Sequence, residues 1–368
     1  MGEMEKFGHG GDMLTASALF GIAPDRLLDF SANINPLGPP PQALAAIEDE
    51  MRRIVHYPDP AHRGLISALS NKYNTEEETI LIGNGAAECM ALALQALAPR
   101  KVGVIYPSFV EYVQLSRQYG AEVIGCTGDA DNGFLPSVDE LERLLDQVDA
   151  LFIGHPNNPT GLLYDLESMR RLAVRAAEKK AYLIIDEAFI DFLPPDRQPT
   201  LLPEIIQYPQ VILLRSMTKF YAIPGLRLGF AVAHPDLIAR MKEKQIPWSV
   251  NRLALAAGEA CCLVDAYEAD TRRLIAEERQ YLRSRLSVDL RVTVWPGQAN
   301  FLLVRLPSIW TARELQQALG RKGIMIRNCD MYPGLTSQDI RVAVRSRMEN
   351  DRLLAALNDV MKEEREKL

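Results

Sequence analysis

The sequence predicts an α/β protein: a large domain with a mainly parallel, seven-stranded sheet sandwiched by helices, and a smaller α+β domain after it. Three observations carry that expectation. Seven short apolar runs lie at 79–83, 102–106, 121–126, 150–155, 182–186, 211–216 and 228–233. Each is rich in Val, Ile, Leu or Phe and has the length of a strand buried on both faces. Helix-like stretches separate several of them, as at 86–96 and 166–179, and strand–helix alternation implies parallel strands joined by crossovers. Past Pro247 the pattern changes to a long helical region at 251–286, with Glu277, Glu278, Arg279, Arg283 and Arg285 on its outer side. Strand-like 301–306, helix-like 312–322, strand-like 324–327 and 340–345, and a last helix from Glu349 complete the smaller domain. Residues 1–40, with Pro36, Gly38, Pro39 and Pro40, read as an arm that packs with the small domain and the active site. The expected division is arm 1–40, large domain 41–245 and small domain 246–368.

Bulk properties narrow the function class. A chain of 368 residues accommodates two domains. Hydrophobic residues at 48% and charged residues at 24% are the profile of a globular enzyme. The net charge of -7 argues against a broad nucleic-acid surface but leaves room for local basic pockets that take acidic metabolites. No run approaches the ~18 apolar residues of a membrane span. Residues 1–6 lack the basic-then-apolar opening of a secretory signal. The five cysteines form no C-x-x-C pair and are odd in number. Reduced thiols in cytoplasm, and no metal site, are the expectation.

Ligands on an open α/β sheet bind beyond the carboxyl ends of the strands, so the polar residues that end the apolar runs converge on one rim. Lys219, in Ser216-Met217-Thr218-Lys219, and Arg227, in Pro224-Gly225-Leu226-Arg227-Leu228-Gly229, follow one such run. An amine near a cationic partner has a lowered pKa and becomes a nucleophile towards carbonyls. A hydroxyl and a guanidinium are what a phosphate needs. A Schiff-base lysine beside a phosphate clamp points to pyridoxal phosphate, an aldehyde that carries a phosphate. Asp186 ends the run Tyr182-Leu183-Ile184-Ile185. A carboxylate there is costly unless paired, and a protonated pyridine nitrogen pairs it. The plainer alternative is a salt bridge or a helix cap.

Asn158 lies in His155-Pro156-Asn157-Asn158-Pro159-Thr160-Gly161, where turn chemistry is the plainer reading and a bond to a ring oxygen the functional one. Gly83-Asn84-Gly85-Ala86-Ala87-Glu88 sits between a strand and a helix, and its backbone N–H groups suit a phosphate. A dinucleotide fingerprint requires a third glycine where Glu88 stands, so that reading is rejected. Phe109, after Tyr106-Pro107-Ser108, is placed to stack on a flat ring, with ordinary packing as the alternative. Tyr57 is similarly two-sided. Arg327 and Arg341 end or lead strands of the small domain and suit carboxylate or phosphate, whereas Arg345 and Arg347 read as surface. Ser216-x-x-Lys219 also fits a serine acyl-enzyme motif, but that class needs a Lys-Thr-Gly segment, absent from this chain.

Taken in order, Asn158-Pro159-Thr160-Gly161, Asp186, Ser216-x-x-Lys219, Arg227 and Arg341 resemble the fold-type I pyridoxal-phosphate enzymes of the aspartate aminotransferase superfamily, over nearly the whole chain. The resemblance implies that Lys219 holds the cofactor as a Schiff base. Asp186 then pairs with the pyridinium, and Asn158 donates to the ring hydroxyl. Ser216, Arg227 and the Gly85-Ala86-Ala87 backbone form the phosphate cup, Phe109 stacks, and Arg341 takes the substrate carboxylate. Tyr57 matches a tyrosine that reaches the cofactor phosphate of a neighbouring subunit, which implies a homodimer. Phe189, in Asp186-Glu187-Ala188-Phe189, departs from the tyrosine of many relatives, so one contact to the ring hydroxyl is missing. Within the superfamily, His9-Gly10-Gly11, the stretch from Leu28 to Gly38 and the Lys219 segment resemble the threonine-phosphate decarboxylase family, with histidinol-phosphate aminotransferases as sisters. That likeness implies a small phosphorylated amino-acid substrate, with Arg327 and His9 at its phosphate and Asn33 and Arg341 setting its orientation. It also implies that Lys219 returns a proton to Cα after carbon dioxide leaves. The residues alone leave decarboxylation and transamination open, because the same cationic pockets serve both.

Overall fold

The computed structural model describes residues 10–365. In chain order the N-terminal part carries α1 (Met13–Phe20), β1 (Leu28–Asp29), α2 (Pro41–Met51) and α3 (Arg63–Tyr73). The sheet region then runs β2 (Ile80–Gly83), α4 (Ala86–Leu97), β3 (Lys101–Tyr106), α5 (Val110–Gln118), β4 (Glu122–Thr127), α6 (Val138–Leu145), β5 (Ala150–Gly154), α7 (Leu166–Lys179), β6 (Tyr182–Asp186), β7 (Val211–Ser216), α8 (Met217–Phe220), β8 (Gly229–Ala233) and α9 (Pro235–Lys242). The C-terminal part holds α10 (Arg252–Cys261), α11 (Asp265–Asp289), β9 (Thr293–Val294), β10 (Phe301–Arg305), α12 (Ala312–Arg321), β11 (Ile324–Met325), β12 (Arg327–Asn328), β13 (Asp339–Ala343) and α13 (Arg347–Arg365).

Seven strands form one sheet in the order β2-β8-β7-β6-β5-β3-β4. The five strands β3 to β7 are parallel, and β8 runs antiparallel between β7 and β2. The inner strands β5 and β7 are buried at every position. Helices cover both faces, which is why these runs read as unbroken apolar stretches. The segment at 121–126 differs from its expectation. It forms β4, an edge strand whose positions are exposed or half-exposed, with no neighbour beyond it. Local sequence sets the helix starts. Ser137 and Glu140 close a capping box on α6, and Asp165 accepts from the Ser168 N–H to cap α7.

β3 pairs with both β4 and β5, so the strand order reverses between β3 and β5. A crevice opens outside the carboxyl ends at such a reversal. The ends of β3, β5, β6 and β7 therefore deliver Phe109, Asn158, Asp186 and Ser216–Lys219 to one rim.

The C-terminal part is built on an antiparallel sheet in the order β12-β13-β10-β9. Three features depart from the sequence reading. The helical region 251–286 is two helices, broken at Leu263 and Val264 between α10 and α11. Glu278 is buried rather than outward, and its carboxylate accepts from Arg347 Nε and Asn350 Nδ2. The run 324–327 splits into two short strands of different sheets: β11 pairs in parallel with β1 of the arm, and β12 pairs with β13. The pairing Leu28↔Ile324 and Asp29↔Met325 fastens the arm to the C-terminal part.

Candidate active site

The crevice is a cavity of ≈ 580 Å³, within the range of small-molecule sites. Its wall includes Gly85, Ala86, Ala87, Phe109, Asn158, Asp186, Ser216, Lys219, Arg227, Asn33, Arg327 and Arg341. Every one of these was singled out from the sequence. One other was not brought here. Tyr57 is 76% exposed and packs at a tilt against Trp248, with ring centroids 4.7 Å apart, away from the cavity of its own chain. His9 lies outside the described residues.

Lys219 stands on α8, immediately after β7. Ser216 caps that short helix and lies 3.3 Å from Lys219 Nζ; its hydroxyl also meets Thr218 Oγ1 at 2.8 Å. Burial pushes the Lys219 pKa down, and the positive charges of Arg227 and Arg341 add to that, while Asp186 opposes it. A neutral amine is thereby more accessible than on a surface lysine. Asp186 ends β6 as a buried carboxylate whose pKa is raised by desolvation. Two donors counter that: Tyr112 Oη at 2.8 Å from Oδ2, and the Ala188 N–H at 3.1 Å from Oδ1. A carboxylate has about four acceptor sites, so two remain for a further donor.

Arg227 follows a short 3-10 turn in the left-handed region, φ 56°. Its guanidinium sits directly against Gly85: a Cβ there would come 2.8 Å from Arg227 Nη2. Gly229 is as constrained, because a Cβ would lie 2.4 Å from the Ala86 nitrogen. These two glycines let the β7–β8 connection press against the start of α4. The Ala86 and Ala87 N–H groups at the start of α4 have no helical acceptor, and these residues line the same space as Arg227, Ser216 and Thr218.

On the opposite wall, Arg341 is 5% exposed and donates to Asn158 Oδ1 and to the Ser31 carbonyl, both at 2.6 Å. One contact therefore joins the C-terminal sheet to the β5 rim, and the other joins it to the arm. Arg327 is 2% exposed beside it. Asn33, at 6%, completes this wall. Arg345 and Arg347 do not contribute. They pair with Glu349 and Glu278; Arg347 is exposed, as its surface reading expects, whereas Arg345 is half-buried and also donates to the Asp29 carbonyl.

Sequence reading missed several wall residues. Glu111 and Asp29 belong here, as does Ser31, whose hydroxyl accepts from the Gly11 N–H at 2.9 Å, and Tyr112 stands behind the wall, bonded to Asp186. A Cβ on Gly10 would sit 2.2 Å from the Ser31 carbonyl oxygen, so the arm lies flush along this edge. The only available signal was for Tyr112, three residues after Phe109 and thus on the same face at the start of α5.

The donor set fits pyridoxal phosphate on three counts. Lys219 is a desolvated amine for the aldehyde, Asp186 retains acceptor capacity for a ring N–H, and Arg227 with Ser216 and the α4 start forms an anion cradle. No cluster of three or more potential metal ligands occurs among the described residues.

Comparison with known proteins agrees with that chemistry. Threonine-phosphate decarboxylase of Salmonella typhimurium is 41% identical over 354 residues, covering 96% of each chain. The adenosylcobalamin biosynthesis bifunctional protein of Leptospira interrogans is 29% identical over 365 residues, 98% of this chain and 42% of that protein. The crystal structure of the histidinol-phosphate aminotransferase from Clostridium acetobutylicum superposes with a TM-score of 0.85 at 32% identity, covering 92% of this chain and 100% of the other. The model of the class I and II aminotransferases matches residues 25–357, nearly the whole of the fold and every described wall residue from Asp29 onward, and the chain belongs to that family.

Proposed function

We propose that the chain is a pyridoxal-phosphate-dependent carboxy-lyase that converts L-threonine O-3-phosphate to (R)-1-amino-2-propanol O-2-phosphate, in formation of the aminopropanol side arm of cobalamin. The observation that carries this reading is the 41% identity, over 96% of both chains, to the Salmonella enzyme named for that reaction. The name of the Leptospira relative supports the cobalamin context.

Bound in the cavity, the cofactor supplies an aldehyde for attachment and an electron-withdrawing ring that accepts the electron pair released at Cα. Lys219 Nζ would hold the cofactor by its aldehyde, and the same amine would hold and return the proton at Cα. Asp186 keeps the ring nitrogen protonated. Asn158 donates to the ring oxygen, while Arg341 holds the Asn158 amide by its oxygen and so turns its N–H groups outward. Phe109 covers one ring face. Gly85, Ala86, Ala87, Ser216 and Arg227 take the cofactor phosphate. Arg341 and Arg327 are the cations for the carboxylate and phosphate of the substrate, with Asn33 and His9 beside them. Such bidentate groups fix orientation, and orientation decides which Cα bond breaks.

Two further elements belong to the same reading. Exposed Met51, Ile54, Val55, Tyr57, Ile246 and Trp248 come from neighbouring segments tied by Arg252, which bonds Glu50 and the Tyr57 carbonyl. A second copy of the chain buries such a patch, and Tyr57 then reaches the partner's cofactor phosphate. The homodimer has its working parts in an arm at 1–40, a cofactor domain at 41–245 and a small domain at 246–368, and it acts in the cytoplasm. Among the described residues no helix is long and apolar enough to cross a membrane.

The test is to mix the purified protein, pyridoxal phosphate and L-threonine O-3-phosphate. Stoichiometric carbon dioxide without any 2-oxo acid is expected. The 32% identity to the Clostridium structure favours one alternative, histidinol-phosphate transamination. Turnover of histidinol phosphate with 2-oxoglutarate, and none of threonine phosphate, would replace the first reading by the second.

A further inference from the structure

We infer that Tyr112 is a positioning residue for Asp186: its hydroxyl fixes the carboxylate towards the cavity and keeps it the weaker base of its pair with the cofactor ring. This rests on the cofactor reading above.

The geometry is built for a single hydrogen bond. Tyr112 is 2% exposed, and its Oη donates to Asp186 Oδ2 at 2.8 Å. The ring is clamped. It stacks on Phe152 of β5 at 5.0 Å and 2°, and Phe109 meets its edge at 5.7 Å and 82°. Glycine at position 154 keeps the surroundings of the hydroxyl open, though a Cβ there would meet Asn157 Oδ1 first, at 2.9 Å. A Cβ on Gly154 would stand 3.2 Å from Tyr112 Oη, and Gly154 is the register partner of Asp186 across β5 and β6. Phe109, the cofactor-facing aromatic, and Tyr112 lie three residues apart around the start of α5. The same turn therefore sets both the ring face and the partner of the ring nitrogen.

The chemistry follows from the donor's character. Burial, and next the Asp186 charge, hold the phenol protonated far above working pH, so it only donates. Donation favours the ionised carboxylate and offsets part of the rise that burial imposes on Asp186. A carboxylate stabilised in this way leaves the shared proton on the ring nitrogen. The other charged groups that line this site are Asp29 on β1, Glu111 on α5, Lys219 on α8, Arg227 before β8, Arg327 on β12 and Arg341 on β13. Lys219 bonds Ser216, and Arg341 bonds Asn158 and Ser31, so removing the Tyr112 hydroxyl leaves these contacts intact.

The experiment is a pH titration, without substrate, of the visible absorbance of the holoenzyme for wild type, Tyr112→Phe and Phe152→Leu. In Tyr112→Phe the carboxylate becomes more basic, the ring loses positive character, and the nitrogen joined to Lys219 gains basicity. The titration midpoint should rise by about one pH unit, the scale of one hydrogen bond to a charged group. Phe152→Leu loosens the clamp but keeps the hydroxyl, so its melting temperature should fall with the midpoint unchanged. An unmoved midpoint in Tyr112→Phe, or an equal shift in Phe152→Leu, would overturn the inference. Absence of any visible cofactor band in wild type would instead sink the cofactor reading, so the two failures are distinct.

Discussion

The two walls of the cavity are made differently. The sheet-side wall is held by strand ends, and its key groups have protein partners: Asp186 has Tyr112 and the Ala188 N–H, and Lys219 has Ser216. The opposite wall gathers the arm and the C-terminal sheet, and buried polar atoms there have no protein partner, namely Asn33 Oδ1 and Arg341 Nε. A buried polar atom without a partner is unfavourable by about 1–3 kcal/mol. The first wall is fixed by protein contacts, with acceptor sites on Asp186 and N–H groups at the start of α4 left for a cofactor. The second is arranged to be completed by what binds. Fixed groups suit a permanent cofactor, and unsatisfied ones suit a ligand that enters and leaves.

The sharpest way to break this contrast is at each wall's central cation. Lys219→Ala should abolish the visible cofactor band and lower kcat by at least about 10³-fold, since both attachment and proton transfer at Cα are lost. Retention of the band would assign attachment to another lysine. Arg341→Gln and Arg327→Gln should leave the band intact. Each should lower kcat/KM by roughly 10²-fold, the scale of a desolvated charge-assisted pair. A lost band in either arginine variant would show that the two walls are not separable. Absorbance spectra and steady-state kinetics on the same preparations decide between these outcomes.

A smaller effect appears in the cofactor-free protein. Burial lowers the Lys219 pKa from its ordinary value of 10.5, so below 10.5 the unfolded state binds the proton more tightly than the folded one. The folded state is therefore penalised at neutral pH, and stability rises with pH between the lowered value and 10.5. Lys219→Met removes the penalty. It should melt higher than wild type near neutrality, by on the order of 1 kcal/mol per unit of depression. That difference should vanish as pH approaches 10.5. Calorimetry of both apo proteins across that range is the check, and a difference that grows with pH would contradict the burial of a destabilised amine.

The same division explains what the sequence revealed. The sheet-side wall was legible because each residue ends an apolar run, and strand ends of a parallel sheet must share a rim. Asp186 and Ser216 are found by that argument alone. The arginines were legible by type, as guanidinium groups at strand ends. Their partners were not, because Arg341 reaches Asn158 across 183 residues and Ser31 across 310. The split of 324–327 was hidden for a similar reason. One apolar run feeds two sheets, and only the arm's β1, far away in sequence, shows where the first half pairs. Glu278 looked like an outer charge because its partners Arg347 and Asn350 arrive from another helix. Local pattern predicts burial by apolar neighbours, not burial by a distant cation.

Phe189 tests the contrast most finely, because it lies on the sheet side but offers no polar group. It is 7% exposed, its ring meets Phe301 edge-on at 4.9 Å, and Lys219 Nζ lies 6.0 Å from its centroid. On the proposed function, a tyrosine in this position would add one donor towards the ring oxygen assigned to Asn158. Phe189→Tyr should therefore stabilise the unprotonated form of the Lys219 linkage and lower its titration midpoint by about half a pH unit, a fraction of one hydrogen bond. The substrate-side arginines are untouched, so KM should change by less than about 3-fold, within the scatter of a small change in polarity. A large change in KM with a still midpoint would mean that Phe189 shapes the substrate wall instead. The boundary between the two walls would then run through Phe301, which packs against Phe189 on one side and lies 5.4 Å from the Arg341 guanidinium on the other.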